Sequence, residues 1–269
     1  MADEATSRGG SNDPAVQAVA DKALELIEDG AKVGLGSGRA SAAFIAKLGE
    51  RVKQGLRIVG VPTSDASEAQ ARALGIPLVE IDESLELDLT VDGADEVAPN
   101  LDLVKGWGGA LVRERIVAAA SRRQVILVGP EKLVPGLGAR GRVPVEVIPL
   151  ARGYVIRRLR ALGITPTIRT GADGTSPFVT DNGNLTLDCR LVRPLQGADE
   201  ALALEARVLA IAGVVDTGLF LGTAERVLIG REDGRVEVDE RGQRELVRFA
   251  NILMQNVAAQ QGIKTKRTR

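Results

Sequence analysis

Histidine is absent from this chain of 269 residues, and cysteine occurs once, at Cys189. No histidine means no imidazole base and no histidine-ligated metal, so only oxygen-ligand sites built from Asp and Glu remain conceivable; no structural metal is expected. A lone cysteine excludes an intramolecular disulfide and reads as a buried apolar filler in a reducing compartment. Aromatic residues make up 2% of the chain, with one tryptophan, Trp107. No run of eighteen apolar residues is present, and the first fourteen residues lack the apolar core of an export signal, so neither a membrane nor secretion is expected. The formal net charge of −1 leaves no general attraction to nucleic acid. The last residues, with Lys264, Lys266, Arg267 and Arg269, form a basic tail that reads as a solvated end.

What is present is an alternation of apolar strands and amphipathic helices. A polar leader over 1–14 precedes a helix over 15–28 that stops at Asp29-Gly30. Strands over 32–36, 57–61, 77–81, 87–91 and 125–129 alternate with helices over about 39–52, 67–74 and 110–120. Such alternation implies a Rossmann-like, doubly wound parallel sheet. At about residue 143 the rhythm changes. The proline-bracketed segment 143–149 reads as a crossover into a second, smaller α+β unit of split βαβ, ferredoxin-like layout. That unit has a helix over 151–162, a hairpin through Asn182-Gly183 between strands 177–180 and 184–189, a helix over 198–211 and a strand over 214–219. Residues 226–230 are expected to return to the first sheet, with 236–238 as a last strand. The expected division is therefore 1–14 leader, 15–142 plus 222–269 catalytic α/β unit, and 143–221 second unit. A last helix over 244–260 carries Leu246, Phe249, Leu253 and Val257 on one stripe, suited to its own unit or to a subunit contact.

Chemistry concentrates in Val91-Asp92-Gly93-Ala94-Asp95-Glu96 and in Lys105-Gly106-Trp107-Gly108-Gly109-Ala110-Leu111-Val112-Arg113-Glu114. Asp92 and Asp95 emerge at a strand's carboxyl end, where open α/β sheets bind ligands. Glu114 falls in the first turns of a helix, where the dipole favours the ionised form that a general base needs. Lys105 can neutralise charge developing on a substrate oxygen. Gly34-Leu35-Gly36-Ser37-Gly38 lies between a strand and a helix, a position that suits phosphate, although its spacing is not that of a dinucleotide loop. Arg39 adds a guanidinium there. Trp107 either walls the pocket or packs the loop.

Taken together with Gly60 to Ser67, Pro144 to Pro149, Thr180 to Asn184 and Gly213 to Phe220, these motifs resemble the ribose-5-phosphate isomerase A family nearly end to end. The resemblance implies interconversion of ribose 5-phosphate and ribulose 5-phosphate in the non-oxidative pentose phosphate pathway, with no cofactor and no metal. It implies Glu114 as the base and Asp92, Asp95 and Lys105 at the reacting end, with either aspartate assisting ring opening. Ser37, Gly38, Arg39, Ala40, Gly93, Ala94, Gly106, Trp107, Gly108 and Lys132 form the implied substrate-binding set. A cytoplasmic homodimer or homotetramer acting on a small phosphorylated sugar, without nucleic acid or membrane, completes it. A non-catalytic phosphosugar sensor is the alternative class, disfavoured because the base, the lysine and both aspartates are all retained. A dinucleotide-dependent enzyme comes third.

Four places depart from the family pattern, one of them the 244–260 helix, which extends past the family's usual end. Arg39 and Ala40 stand where hydroxyl residues are usual, Gln17 stands at the place of a phosphate-binding lysine, and Trp107 replaces a common glycine. We expect Arg39 to supply the charge that Gln17 does not. Arg39→Ala should then raise the KM for ribose 5-phosphate, and an unchanged KM in steady-state kinetics would exclude that role.

Overall fold

The structure, a computed structural model, describes residues 13–242. The leader as far as residue 12, the 244–260 helix and the basic tail lie outside the described residues. Asp13 and Pro14, expected in the leader, belong instead to the first helix. The Asp13 carboxylate accepts from the Ala15 N–H at 3.0 Å, and Pro14 opens α1 (Pro14–Leu24), where its missing N–H costs nothing. Helix α1 stops short of residue 28 because Leu26 and Ile27 turn back onto Ala23 and Leu24 in tighter three-residue bonds. Ile27 is nonetheless buried, so the apolar period reported burial past the helix end.

The first sheet is built from β1 (Lys32–Leu35), β2 (Val59–Pro62), β3 (Leu89–Gly93), β6 (Gln124–Val128), β12 (Arg226–Gly230) and β13 (Val236–Glu240). Their order is β13, β12, β6, β3, β1, β2, parallel throughout except for the antiparallel edge strand β13. Strand β6 is buried along its whole length, as expected of a central strand covered on both faces. Val125 and Leu127 face a core shared with α1 and α2 (Arg39–Lys53), whereas Ile126 and Val128 face the opposite core with Leu111 of α4 (Leu111–Ala119). The chain runs outward from β1 to β2 and then crosses back to β3, so β1 and β3 flank the point where winding reverses. Crevices form at the carboxyl ends of such a pair. The expected strand at 77–81 reduces to one bridge, Leu78 to Gly60, at the sheet edge where Pro77 has no N–H to give.

A small antiparallel sheet of β4 (Glu96–Val97), β5 (Leu103–Val104) and β11 (Leu219–Phe220) leads to a four-stranded one. The latter has the order β10 (Val214–Thr217), β7 (Val143–Val147), β9 (Leu185–Arg190), β8 (Thr165–Ile168), all antiparallel, with α5 (Arg152–Ala161) after β7 and α6 (Ala198–Leu209) before β10. This is the split βαβ order. The segment expected as a crossover is the central strand β7; Pro144 is tolerated there because it accepts from Gly218 N–H at 2.7 Å without having to donate. The Asn182-Gly183 turn forms with Gly183 at φ +77°, but its first arm shrinks to a bridge between Val179 and Leu185, and β8 is the extended partner of β9. Val145, Val147, Leu185, Leu187 and Cys189 form the apolar core with α5 and α6. Glu146, Thr186 and Asp216 lie on the other face, buried against the first unit.

Helix α3 (Asp65–Ala73) starts in a reciprocal cap between Ser64 and Ser67. At Gly36, after β1, a Cβ would come within 2.6 Å of the Asp92 backbone, so the loop approaches β3 more closely than any side chain permits. Gly36→Ala is expected to destabilise the protein by about 1–3 kcal/mol in chemical denaturation, the usual cost of forcing bulk into a packed site. A midpoint equal to the parent's would show that the loop can move aside.

Candidate active site

Three charged side chains meet at the switch point with almost no exposure: Asp92 at 0%, Lys105 at 2% and Glu114 at 5%. Asp92 comes from the end of β3, Lys105 follows β5, and Glu114 lies in the first turn of α4. The Lys105 Nζ is 2.9 Å from Asp92 Oδ2 and 3.4 Å from Glu114 Oε2. Both oxygens face the ammonium at ion-pair distance but outside hydrogen-bond alignment. Nζ donates to the Gly93 carbonyl and lies 5.5 Å from the centre of the Phe220 ring. Buried ions are tolerated only when paired, and one ammonium here faces two carboxylates.

The two carboxylates are treated differently. Asp92 Oδ1 accepts from Ser37 N–H at 2.9 Å, Gly93 N–H at 2.7 Å and Ser41 Oγ at 3.2 Å, which locks the side chain to the glycine loop. Glu114 Oε2 receives no hydrogen bond. Burial pushes the Glu114 carboxyl well above the usual carboxylate range; Lys105 opposes this, while Asp92 and Asp95 add to it. For Lys105, burial works against the charged form, but Asp92 and Glu114 outweigh it and hold its pKa above the ordinary lysine value. Asp95, between β3 and β4, is partly buried, and its Oδ2 accepts from Trp107 N–H at 2.9 Å. Burial raises its pKa against that bond and the pull of Lys105.

The remaining members of the expected set divide into two groups. Ser37, Gly38, Arg39 and Ala40 line the amino end of α2, which has no side-chain cap, unlike α1 and α3. The Ser37 hydroxyl is 2.8 Å from that of Thr63 and 2.7 Å from that of Ser64, so the Gly60 to Ser67 segment joins this corner. Lys132, in the short turn after β6, is partly buried. Burial lowers its pKa, and the like charges of Arg140 and Arg39 lower it further, which places Arg39 within electrostatic reach of it. Gly93 and Ala94 connect the two aspartates. Gly106, Trp107 and Gly108 form the loop from Lys105 towards α4, with Gly106 and Gly109 at positive φ. Trp107 packs on the core around Val134, Leu137 and Val143, and its ring carries Arg142 at 4.2 Å, Arg140 at 4.9 Å and Lys132 at 5.8 Å.

Several contributors were not singled out by sequence. Arg169 donates to the carbonyls of Gly106 at 2.9 Å and Trp107 at 3.0 Å, and it pairs with Asp188. Phe178 lies where a Cβ on Gly109 would be. Arg115 pairs with Asp216 and donates to the Thr217 and Leu219 carbonyls, fastening α4 to the second unit. The alternation of Glu146, Thr186 and Asp216 with apolar neighbours in the strands was the available signal for such an interface. Among the described residues, no group of three or more Cys, Asp or Glu side chains is arranged to hold a metal ion, and no helix is long and apolar enough to cross a membrane.

Fold and site together define an α/β isomerase-type enzyme, with two carboxylates and a lysine buried together at the carboxyl end of a parallel sheet. The family model for ribose 5-phosphate isomerase A (phosphoriboisomerase A) matches residues 59–234. The chain is 47% identical over 222 residues to ribose-5-phosphate isomerase A of Gloeobacter violaceus, covering 81% of this chain and 93% of the relative. It is 43% identical over 219 residues to that of Deinococcus radiodurans, covering 81% and 94%. Among solved structures, a D-ribose-5-phosphate isomerase in complex with phospho-erythronic acid superposes with a TM-score of 0.79 at 38% identity, covering 84% of this chain and 98% of the other. The enzyme of Methanocaldococcus jannaschii gives 0.78 at 38%, covering 86% and 100%. The chain belongs to the ribose 5-phosphate isomerase A family.

Lys105→Met would leave Asp92 and Glu114 buried without a cation. Breaking a buried pair in this way typically costs about 3–5 kcal/mol, and urea denaturation should show a loss of that order. A loss below about 1 kcal/mol would mean that water already reaches the site.

Proposed function

We propose that this chain interconverts D-ribose 5-phosphate and D-ribulose 5-phosphate, with Glu114 as the base that carries a proton between C2 and C1. The observation that carries this reading is the Glu114 carboxylate itself. It is buried, made basic by its surroundings, and its Oε2 is held 3.4 Å from an ammonium. From aldose to ketose, Glu114 removes the C2 proton, the electron pair moves into a C1–C2 double bond, and the O1 carbonyl becomes an enediolate oxygen. The Lys105 ammonium stabilises that negative charge. Transfer of the O2 proton to O1 and return of the carbon proton to C1 then give the ketose, with Glu114 restored.

Ring opening precedes this and needs a proton moved between the ring oxygen and the anomeric hydroxyl. Asp95 suits that step better than Asp92. Asp92 is fully buried with one oxygen taken by three donors and the other turned to Lys105, whereas Asp95 is partly exposed and has a raised pKa that lets it hold and release a proton. The uncapped amino end of α2 and the Lys132 ammonium suit the 5-phosphate, with Arg39 adding charge from the same corner. The relative solved with phospho-erythronic acid supports a phosphorylated sugar as the ligand class. A cytoplasmic oligomer of this chain is part of the same proposal, and sedimentation of the purified protein decides the subunit count.

Purified protein is expected to convert ribose 5-phosphate to ribulose 5-phosphate with chelator present, and Glu114→Gln to lower kcat by about 10²–10⁴-fold. An equal rate in Glu114→Gln would remove it as the base; binding of the sugar phosphate without turnover by the parent would favour the sensor reading. Because Glu114 titrates above the ordinary carboxylate range, kcat/KM should fall as pH drops through a value clearly higher than 4.5. An acid limb at or below that value in the pH profile would contradict the desolvated site.

A further inference from the structure

Arg113, Glu114 and Arg115 are consecutive in α4, and the helical step of about 100° sends them in three directions. Glu114 faces Lys105 and Arg115 is taken by Asp216. Arg113 reaches two segments that are far apart in sequence. Its Nη1 lies 2.6 Å from Asp65 Oδ1 at the start of α3, its Nη2 donates to the Asp181 carbonyl at 2.8 Å, and its Nε donates to Asn182 Oδ1 at 3.0 Å. Asp65 N–H closes the set by donating to Asp181 Oδ2 at 2.9 Å. From beneath, the buried Glu146 Oε1 accepts from Thr180, Asn182 and Asn184 at 3.0, 3.1 and 2.9 Å. The turn at 180–184 is thus gripped by a carboxylate of its own unit and by one arginine of the other.

This grip touches both ends of the site. Asp65 follows Ser64, whose hydroxyl bonds Ser37 of the glycine loop, and Arg113 precedes Glu114. We propose that Arg113 is a positioning residue for the isomerase reaction, docking the 180–184 turn of the second unit against α3 and holding the helix turn that presents Glu114. The proposal rests on the reading of Glu114 as the base. A surface ion pair alone contributes little to stability, and Arg113 and Asp65 are 31% and 70% exposed. The consequence of the fork geometry therefore falls on placement: an error of about an ångström at a reacting group is costly in rate.

The groups facing Glu114 are Lys105 after β5, Asp92 of β3 and Asp95 between β3 and β4, and none of them bonds to Arg113. Loss of the arginine's charge would by itself raise the Glu114 pKa. Admission of water past a loosened turn would lower it, since burial is the main cause of its elevation. The sign of the shift separates the two.

The experiment compares full-length Arg113→Ala, Arg113→Lys and Asp65→Ala with the parent. In Arg113→Ala, kcat should fall about 10-fold with KM within about 2-fold, the acid limb of kcat/KM should move to lower pH, and amide exchange should quicken across 178–186. Arg113→Lys should recover part of kcat, and Asp65→Ala should show smaller changes of the same signs. Parent-like kcat and acid limb in folded Arg113→Ala, or a change confined to KM, overturns the proposal. If Arg113→Ala does not fold, Asp65→Ala, altered at an exposed side chain, decides by the same readouts. A parent that fails to turn over ribose 5-phosphate counts against the isomerase reading; exchange needs no turnover, and unchanged exchange across 178–186 in Arg113→Ala still overturns the docking.

Discussion

A lysine ammonium buried between two carboxylates is the constraint around which this molecule is arranged. Lys105 can stay charged at 2% exposure because Asp92 and Glu114 face it, and they can stay buried because it faces them. Each of the three comes from a different part of the chain, so their meeting requires β3, the segment after β5 and α4 to be registered within a fraction of an ångström. Much of the surrounding structure serves that registration. Asp92 is tied to the glycine loop, the Lys105 N–H is bonded to the Gly218 carbonyl, and α4 is fastened on both sides by arginines.

The second unit acts as a jig. Its sheet has one apolar face, covered by α5 and α6, and one polar face bearing Glu146, Thr186, Asp188 and Asp216. A polar sheet face ordinarily meets water, but here it meets α4 and the 105–109 loop. Arg169 and Phe178 press on that loop, and Asp216 receives Arg115. The exclusion of water is what raises the glutamate's pKa and strengthens every electrostatic interaction inside the site. A glutamate with a raised pKa and a lysine with a raised pKa belong to the same desolvated triad: burial is the largest cause for Glu114, whereas for Lys105 the two facing carboxylates outweigh burial.

Much of this was legible beforehand, for identifiable reasons. Val125, Ile126, Leu127 and Val128 form an unbroken apolar run that only a strand covered on both faces needs, and the repeated strand and helix pattern led to the parallel sheet. Asp92, Asp95, Lys105 and Glu114 stood out because charged residues interrupt apolar and glycine-rich sequence. The segment at 143–149 was read as an extended crossover leading into the second unit; it is also a central strand of that unit, because Pro144 falls where only an acceptor is needed. Arg113, Arg115 and Arg169 were passed over because an isolated arginine in sequence carries no sign of its partner, and theirs lie between 19 and 104 residues away.

Local sequence determined which residues are apolar, which segments repeat at strand or helix period, and which chemical groups are available at all: carboxylates, lysines and arginines, with no imidazole. Those properties belong to each residue and its near neighbours. Tertiary structure decided which of two similar aspartates accepts from three donors and which stays partly open, and that burial raises the Glu114 pKa. These depend on burial and on distances between segments remote in the chain. The energy of a charge is set by everything within a few ångströms of it, and no short stretch of sequence contains that neighbourhood.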